Sequence, residues 1–178
     1  MKSDLRAQFR QKLAGMTPGT VRAHSAAVWE RLATLAAFQT AQCLCVYVST
    51  GAEIETHGLI RQLLARGRRV CVPGFVTAYV PAEIKDFDAD LVVGRFGILE
   101  PKTVIPAQPD LWLVPGLGFD RSGNRLGRGK GFFDAMLQGA AGVKIGVGHD
   151  FQIVDKLPIE PHDVRLDFVV TEGQTFRA

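Results

Sequence analysis

No run of about eighteen apolar residues occurs in this chain, so no membrane-spanning helix is expected. The N-terminus has no apolar signal-peptide core, which makes the cytoplasm the expected compartment. Repeats, low-complexity tracts and linkers are absent, and 178 residues suit a single domain over 1–178 with a real core. Cysteine is scarce: Cys43, Cys45 and Cys71 are an odd number and sit inside apolar, strand-like runs. Cys43 and Cys45 would share one strand face, a spacing that can serve a metal, yet no nearby His or Cys completes a set. Buried, reduced thiols without disulfides are expected. Excess charge is scarce too. A net +3 suits small anionic ligands and lacks the dense basic face of a nucleic-acid binder, so no nucleic-acid partner is expected. Two common nucleotide motifs are also missing, since neither G-x-x-x-x-G-K-[ST] nor a clean G-x-G-x-x-G follows a strand.

What is present is a run of alternating elements. Leu5, Phe9 and Leu13, spaced by four, predict a helix over 2–14. Thr17 followed by Pro18 reads as an N-cap and first helical residue, opening a helix to about Ala37. The apolar run 43–48 has strand length and the continuous hydrophobicity of a strand covered on both faces. A helix over 56–65, a C-cap at Arg66-Gly67 and a strand at 69–72 complete a βαβ unit, which implies parallel pairing. Residues 73–109 are less regular, with short strands and a long connection expected. A second βαβ unit follows from 111–114, a helix from about Gly131, and 144–148; a last strand is expected at 166–171. The predicted class is α/β: a three-layer sandwich with a mainly parallel central sheet and helices on both faces. Ligands in such sheets sit at the carboxyl ends of strands, which gathers the loops after Val48, Val72, Val114 and Gly148 and around Asp163 on one rim.

The segment 115–134 carries the chemistry. Six glycines allow backbone N–H groups to approach a ligand and form a concave anion site. Arg125, Arg128 and Lys130 add positive charge for phosphate oxygens, and a helix start downstream aims its positive end at the same place. Asp134 reads as a Mg²⁺ ligand, because Mg²⁺ prefers carboxylates together with substrate phosphates. The competing reading of the segment is a solvent-exposed turn carrying solubilising charge. Both Lys130 and Asp134 are expected in an exposed loop. His24 and His57 fall in helical patterns and read as surface residues, and no chemistry is assigned to His149 or His162.

The run Gly118-Phe-Asp-Arg-Ser-Gly-Asn-Arg-Leu-Gly-Arg-Gly-Lys-Gly-Phe-Phe-Asp134 resembles the motif of the 5-formyltetrahydrofolate cyclo-ligase family, also called methenyltetrahydrofolate synthetases. Lys2-x-x-Leu5-Arg6, Glu53-Ile-Glu-Thr56, Phe96-Gly-Ile-Leu-Glu-Pro101 and His162-Asp-Val-Arg-Leu-Asp167 match in the same order. The resemblance implies an ATP-dependent ring closure giving 5,10-methenyltetrahydrofolate, ADP and phosphate through a phosphorylated formyl group, with Mg²⁺ as cofactor. It assigns ATP to Lys2, Arg6 and the loop Arg125, Leu126, Gly127, Arg128, Gly129, Lys130, Gly131, Phe132 and Phe133. Arg128 and Lys130 are the implied catalytic charges. Folate, its polyglutamate preference left open, falls to Val48, Glu53, Arg128 and Phe132, and magnesium to Asp134 and Asp163. Many relatives carry tyrosine where this chain has Phe132 and Phe133, which leaves stacking and removes a hydroxyl; Gly74 also departs from a frequent basic residue. Glu55 and Glu100 match the pattern without an assigned role. A monomer is expected. The alternative is a catalytically silent nucleotide- or folate-binding homologue.

Overall fold

The computed structural model describes residues 2–178. Helix α1 (Lys2–Ala14) is followed by α2 (Pro18–Thr34), whose Thr17 side chain accepts from Thr20 N at 3.1 Å with Pro18 behind it. The helix predicted to reach Ala37 breaks earlier. Leu35 turns extended (φ −78°, ψ 123°) and a separate short helix, α3 (Ala36–Thr40), begins. That break lets Leu32 and Phe38 both face the core. Strand β1 (Cys43–Val46), α4 (His57–Ala65) and β2 (Arg69–Phe75) form the first βαβ unit, with Gly67 closing α4 at φ +73°. Strand β2 runs three residues past the expected end because β3 (Tyr79–Ile84) pairs antiparallel along its whole length. A four-residue helix α5 (Phe87–Asp90), β4 (Leu91–Val93) and β5 (Leu99–Pro101) fill the irregular middle.

The second half contains β6 (Leu111–Pro115), a hairpin of β7 (Gly118–Asp120) and β8 (Arg125–Leu126), α6 (Phe132–Leu137) and β9 (Val143–Val147). Two-residue β10 (Ile153–Val154) pairs with β7. Strand β11 (Phe168–Val170) is not the last, since β12 (Thr175–Arg177) folds back antiparallel on it. The main sheet has seven strands ordered β12-β11-β9-β6-β1-β2-β3. Its interior pairings are parallel and both edges are antiparallel.

Side-chain alternation splits the core between the sheet faces. One face packs Val28, Leu32, Phe38, Ile60 and Leu63 from the helices against Leu44, Val46, Val70 and Leu113. The other packs Leu137 of α6 and Phe119 of the hairpin against Cys43, Cys45, Cys71, Trp112 and Val169. Helices thus lie on both sides of the sheet. The three cysteines are free and buried, and burial raises the Cys45 and Cys71 thiols, which keeps them protonated.

Phe119 sets the hairpin's position. Its ring is fully buried, and a Cβ added at Gly116, Gly146 or Gly148 would lie within 2.6–2.8 Å of it. Three glycines therefore make the seat for one ring. From β1 the chain moves to one side of the sheet through β2, and from β6 to the other through β9 and β11. The crevice between the carboxyl ends of β1 and β6 is the topological switch point where open α/β sheets hold ligands.

Candidate active site

Two adjoining clefts open at that point. The first, about 350 Å³, is lined after β1 by Tyr47, Val48, Thr50 and Glu53, and after β6 by Pro115 and Gly116. Aromatic rings form its far side: Phe132 lies 4.7 Å from Tyr79 and 6.1 Å from Phe96, centroid to centroid. Flat, mainly apolar walls with a few polar groups suit a flat heterocycle. The second cleft, about 260 Å³, is polar and lies between the start of α1, the glycine-rich loop and the segment around Asp163. Arg125, Gly127, Lys130, Gly131 and Asp134 line both. The loop is a shared wall.

Helix α1 supplies one side of the polar cleft. Its apolar residues Phe9 and Leu13 are buried against Leu117, Leu126 and Leu157, which turns the neighbouring row toward the loop. Lys2 Nζ donates to Asp163 Oδ2 (2.8 Å) and Glu160 Oε2 (2.9 Å), Arg6 Nε to Gly127 O (3.0 Å), and Arg10 to Arg128 O (3.1 Å). Lys2, Arg6 and Arg10 are one stripe at spacing four. Arg10, absent from the sequence assignment, was reachable by extending that spacing by one turn.

The loop itself is more structured than a turn. Buried Asp120 accepts from Ser122 N, Asn124 N and Leu157 N at 3.0 Å each, which folds the β7–β8 connection. Leu126 is buried within the hairpin, so its side chain packs inward and only its backbone borders the polar cleft. Arg125 is buried as well: it donates to Pro115 O (3.1 Å) and Asp134 Oδ1 (2.7 Å), while its Nε has no partner among the described residues. This arginine braces the wall rather than waving a free charge. Asp134 is correspondingly not in an exposed loop; it sits in the first turn of α6 with 19 % of its side chain exposed. Lys130 is exposed, with Nζ 5.8 Å from the Phe96 ring centre.

Arg128, exposed, crosses the apolar cleft's mouth to Glu53 Oε1 at 2.6 Å. Glu53 Oε2 accepts from Thr50 N (2.8 Å), so its carboxylate is fixed from behind and aimed into the cleft. Val48 lies in the wall, half-buried Phe133 bridges the two core faces, and Phe132 is the ring left open to a ligand. Glu55 accepts from Gly58 N (3.0 Å) in the first turn of α4 and supports the start of that helix. Glu100 accepts from the Tyr79 hydroxyl (2.8 Å) and Arg95 N. Burial first, then that bond to a carboxylate, pushes the Tyr79 pKa up to about 12. Tyr79 thus brings to the cleft a hydroxyl that the 132–133 pair lacks. Gly74 packs against Ala82 and Val104, outside both clefts.

The carboxylates offer hard oxygen donors of the kind Mg²⁺ takes. Glu160 and Asp163, with His162, bring ligand atoms within 4.8 Å of one another; Asp134 stands apart on the opposite wall of the same cleft. For Asp163, burial acts to raise its pKa but is outweighed by Lys2 and the Glu160 N–H, which hold it below the usual carboxylate range. It is ionised and fit to receive a cation. The histidines fall elsewhere. His162 is exposed at the cleft rim, His24 and His57 are half-buried rather than on the surface, and His149 is fully buried away from both clefts.

A switch-point crevice joined through a glycine-rich hairpin to a cationic cleft defines a class, the α/β proteins that hold a phosphorylated co-substrate beside a flat one. Comparison with known proteins narrows the class. The family description for 5-formyltetrahydrofolate cyclo-ligases matches residues 1–172, and the chain belongs to that family. The 5-formyltetrahydrofolate cyclo-ligase of Mycolicibacterium smegmatis is 39 % identical over 140 residues, covering 72 % of this chain and 72 % of its own. That of Escherichia coli is 33 % identical, covering 94 % of this chain and 98 % of its own. The solution structure of Aquifex aeolicus 5,10-methenyltetrahydrofolate synthetase superposes with a TM-score of 0.90 at 30 % identity, over 99 % of this chain and 92 % of that one.

Proposed function

We propose that this protein catalyses the ATP-dependent closure of 5-formyltetrahydrofolate to 5,10-methenyltetrahydrofolate, with release of ADP and phosphate. The observation that carries this reading is the shared wall: a cationic cleft and an aromatic cleft meet at Lys130, where a γ-phosphate and a formyl oxygen would have to meet. The pterin lies in the aromatic cleft against Phe132, with Glu53 accepting from its N–H edge once Arg128 swings to the phosphates. ATP lies along the basic stripe of Lys2 and Arg6 and the backbone of 127–131. The formyl oxygen attacks the γ-phosphorus and ADP departs. N10 then adds to the activated carbon and its N–H proton passes to the departing phosphate or to solvent, the C–O bond breaks, phosphate leaves and the methenyl bridge remains. Lys130 and Arg128 stabilise charge on the transferring phosphoryl group; most of the protein's contribution is positioning. Asp134 and Asp163 would hold Mg²⁺, which neutralises phosphate charge when bound.

Mixing the protein with 5-formyltetrahydrofolate and MgATP and following near-ultraviolet methenyl absorbance tests this. Turnover is expected, and Lys130→Ala is expected to lower kcat about 10²–10³-fold, as for loss of one transition-state charge contact. ATP binding without methenyl formation would replace the reading with that of a silent folate- or nucleotide-binding homologue.

A further inference from the structure

We infer that His24, His149 and Glu172 form a binding site for one divalent transition-metal ion of the Zn²⁺ kind, outside the lining of both clefts. The three residues come from α2, from the loop after β9 and from the turn between β11 and β12, and their ligand atoms lie within 4.8 Å of one another. His24 Nδ1 is 3.0 Å from His149 Nδ1 and 3.1 Å from Glu172 Oε1. Ligands on a tetrahedral zinc with bonds near 2.05 Å stand about 3.3 Å apart, so the two edges at His24 are close to those of a filled site.

The surrounding contacts point the same way. His149 Nε2 faces Ala52 O at 2.8 Å, so that nitrogen carries the proton and Nδ1 presents its lone pair to the cluster. Glu172 Oε2 accepts from Asp150 N at 2.9 Å, which leaves Oε1 aimed inward. Phe151 stacks on the His149 ring (5.4 Å, 6° between planes) and fixes its tilt. His149 and Glu172 are thus each oriented from behind by a hydrogen bond or a ring, the arrangement that metal sites use to hold imidazole and carboxylate ligands. His149 is fully buried, so an ion held there is shielded from bulk water on that side. His24 is 28 % exposed and opens a path for the ion and for water as fourth ligand. Without metal, a single His24 Nδ1–H joins the other two ligand atoms, and the ion takes that proton's place.

The test uses the full chain after chelator treatment, in excess Mg²⁺, titrated with Co²⁺ and then competed with Zn²⁺. One equivalent of Co²⁺ should give visible d–d absorption of tetrahedral type that Zn²⁺ abolishes. His24→Ala, which favours its helix, and Glu172→Gln should each weaken Zn²⁺ binding about tenfold or more, with circular dichroism unchanged. His162→Ala should leave the affinity as it was, which separates this site from the carboxylates of the polar cleft. Absence of the Co²⁺ band in the native protein, or equal affinity in both cluster variants and loss only in His162→Ala, would overturn the inference.

Discussion

At Arg125 a guanidinium with 5 % of its side chain exposed depends on Asp134 for its countercharge. Removing one partner of a buried ion pair strands the other, at a cost of about 3–5 kcal/mol. Asp134→Ala is therefore expected to lower unfolding free energy by about 3 kcal/mol in urea titration, whereas exposed Lys130→Ala should stay within about 0.5 kcal/mol. Lost activity in the first variant mixes folding with chemistry; in the second it reports chemistry. Nothing in the local sequence distinguishes the two, since pairing across nine positions appears only once the hairpin folds. The two tyrosines make a second residue-level expectation. Burial raises Tyr47 well above 10, and Tyr79 reaches about 12. Folded values above unfolded ones mean that both contribute full stability below about pH 10 and lose it as pH rises through the folded values. Phenolate absorbance should thus be missing from the native protein near pH 10.5 and appear for both rings in denaturant; ionisation of either ring near pH 10 in the folded state would contradict this.

Among the elements, those with continuous apolar runs were legible in advance: β1, β6, β9 and α4 lie within a residue or two of their predicted bounds. The parallel pairings within the two βαβ units were legible as well, and the antiparallel edge pairings were not. The antiparallel edges β3 and β12 are weakly patterned, and pairing with β2 and β11 makes them strands. The glycine-rich segment read as one loop because glycine hides strand propensity, yet β7 and β8 lie within it. Histidines 24 and 149 looked unrelated at 125 positions apart. Phe132, Glu53, Phe96, Lys2 and Arg6 were readable because family motifs carry them, while Tyr79 reaches the cleft from the stretch whose pattern is poorest and Arg10 lies one turn beyond the motif. The seat of Phe119 yields an element-level test. A methyl group in β9 from Gly146→Ala would press on that ring and on Leu166, and overpacking of this kind costs about 1–3 kcal/mol. Denaturant titration should show a lower midpoint with an unchanged m-value.

For the molecule as a whole, the two clefts should separate kinetically. Phe132→Ala removes a stacking surface worth about 0.5–1.5 kcal/mol and is expected to raise the folate KM several-fold with little change for ATP. Lys2→Ala removes a charged donor worth about 1.5–3 kcal/mol and should do the reverse, by about tenfold or more. Steady-state kinetics in both substrates decides the matter, and equal effects on both KM values would mean the clefts are not separate sites. The wall between them, braced by Arg125, Pro115 and Asp134, has one more consequence. Any ligand-induced adjustment of that wall on one side alters the surface met by the other substrate. Thermodynamic reciprocity then requires each substrate to change the other's affinity by the same factor. A brace that tightened on first binding would make random entry behave as synergistic capture, favouring the ternary complex over either half-filled state.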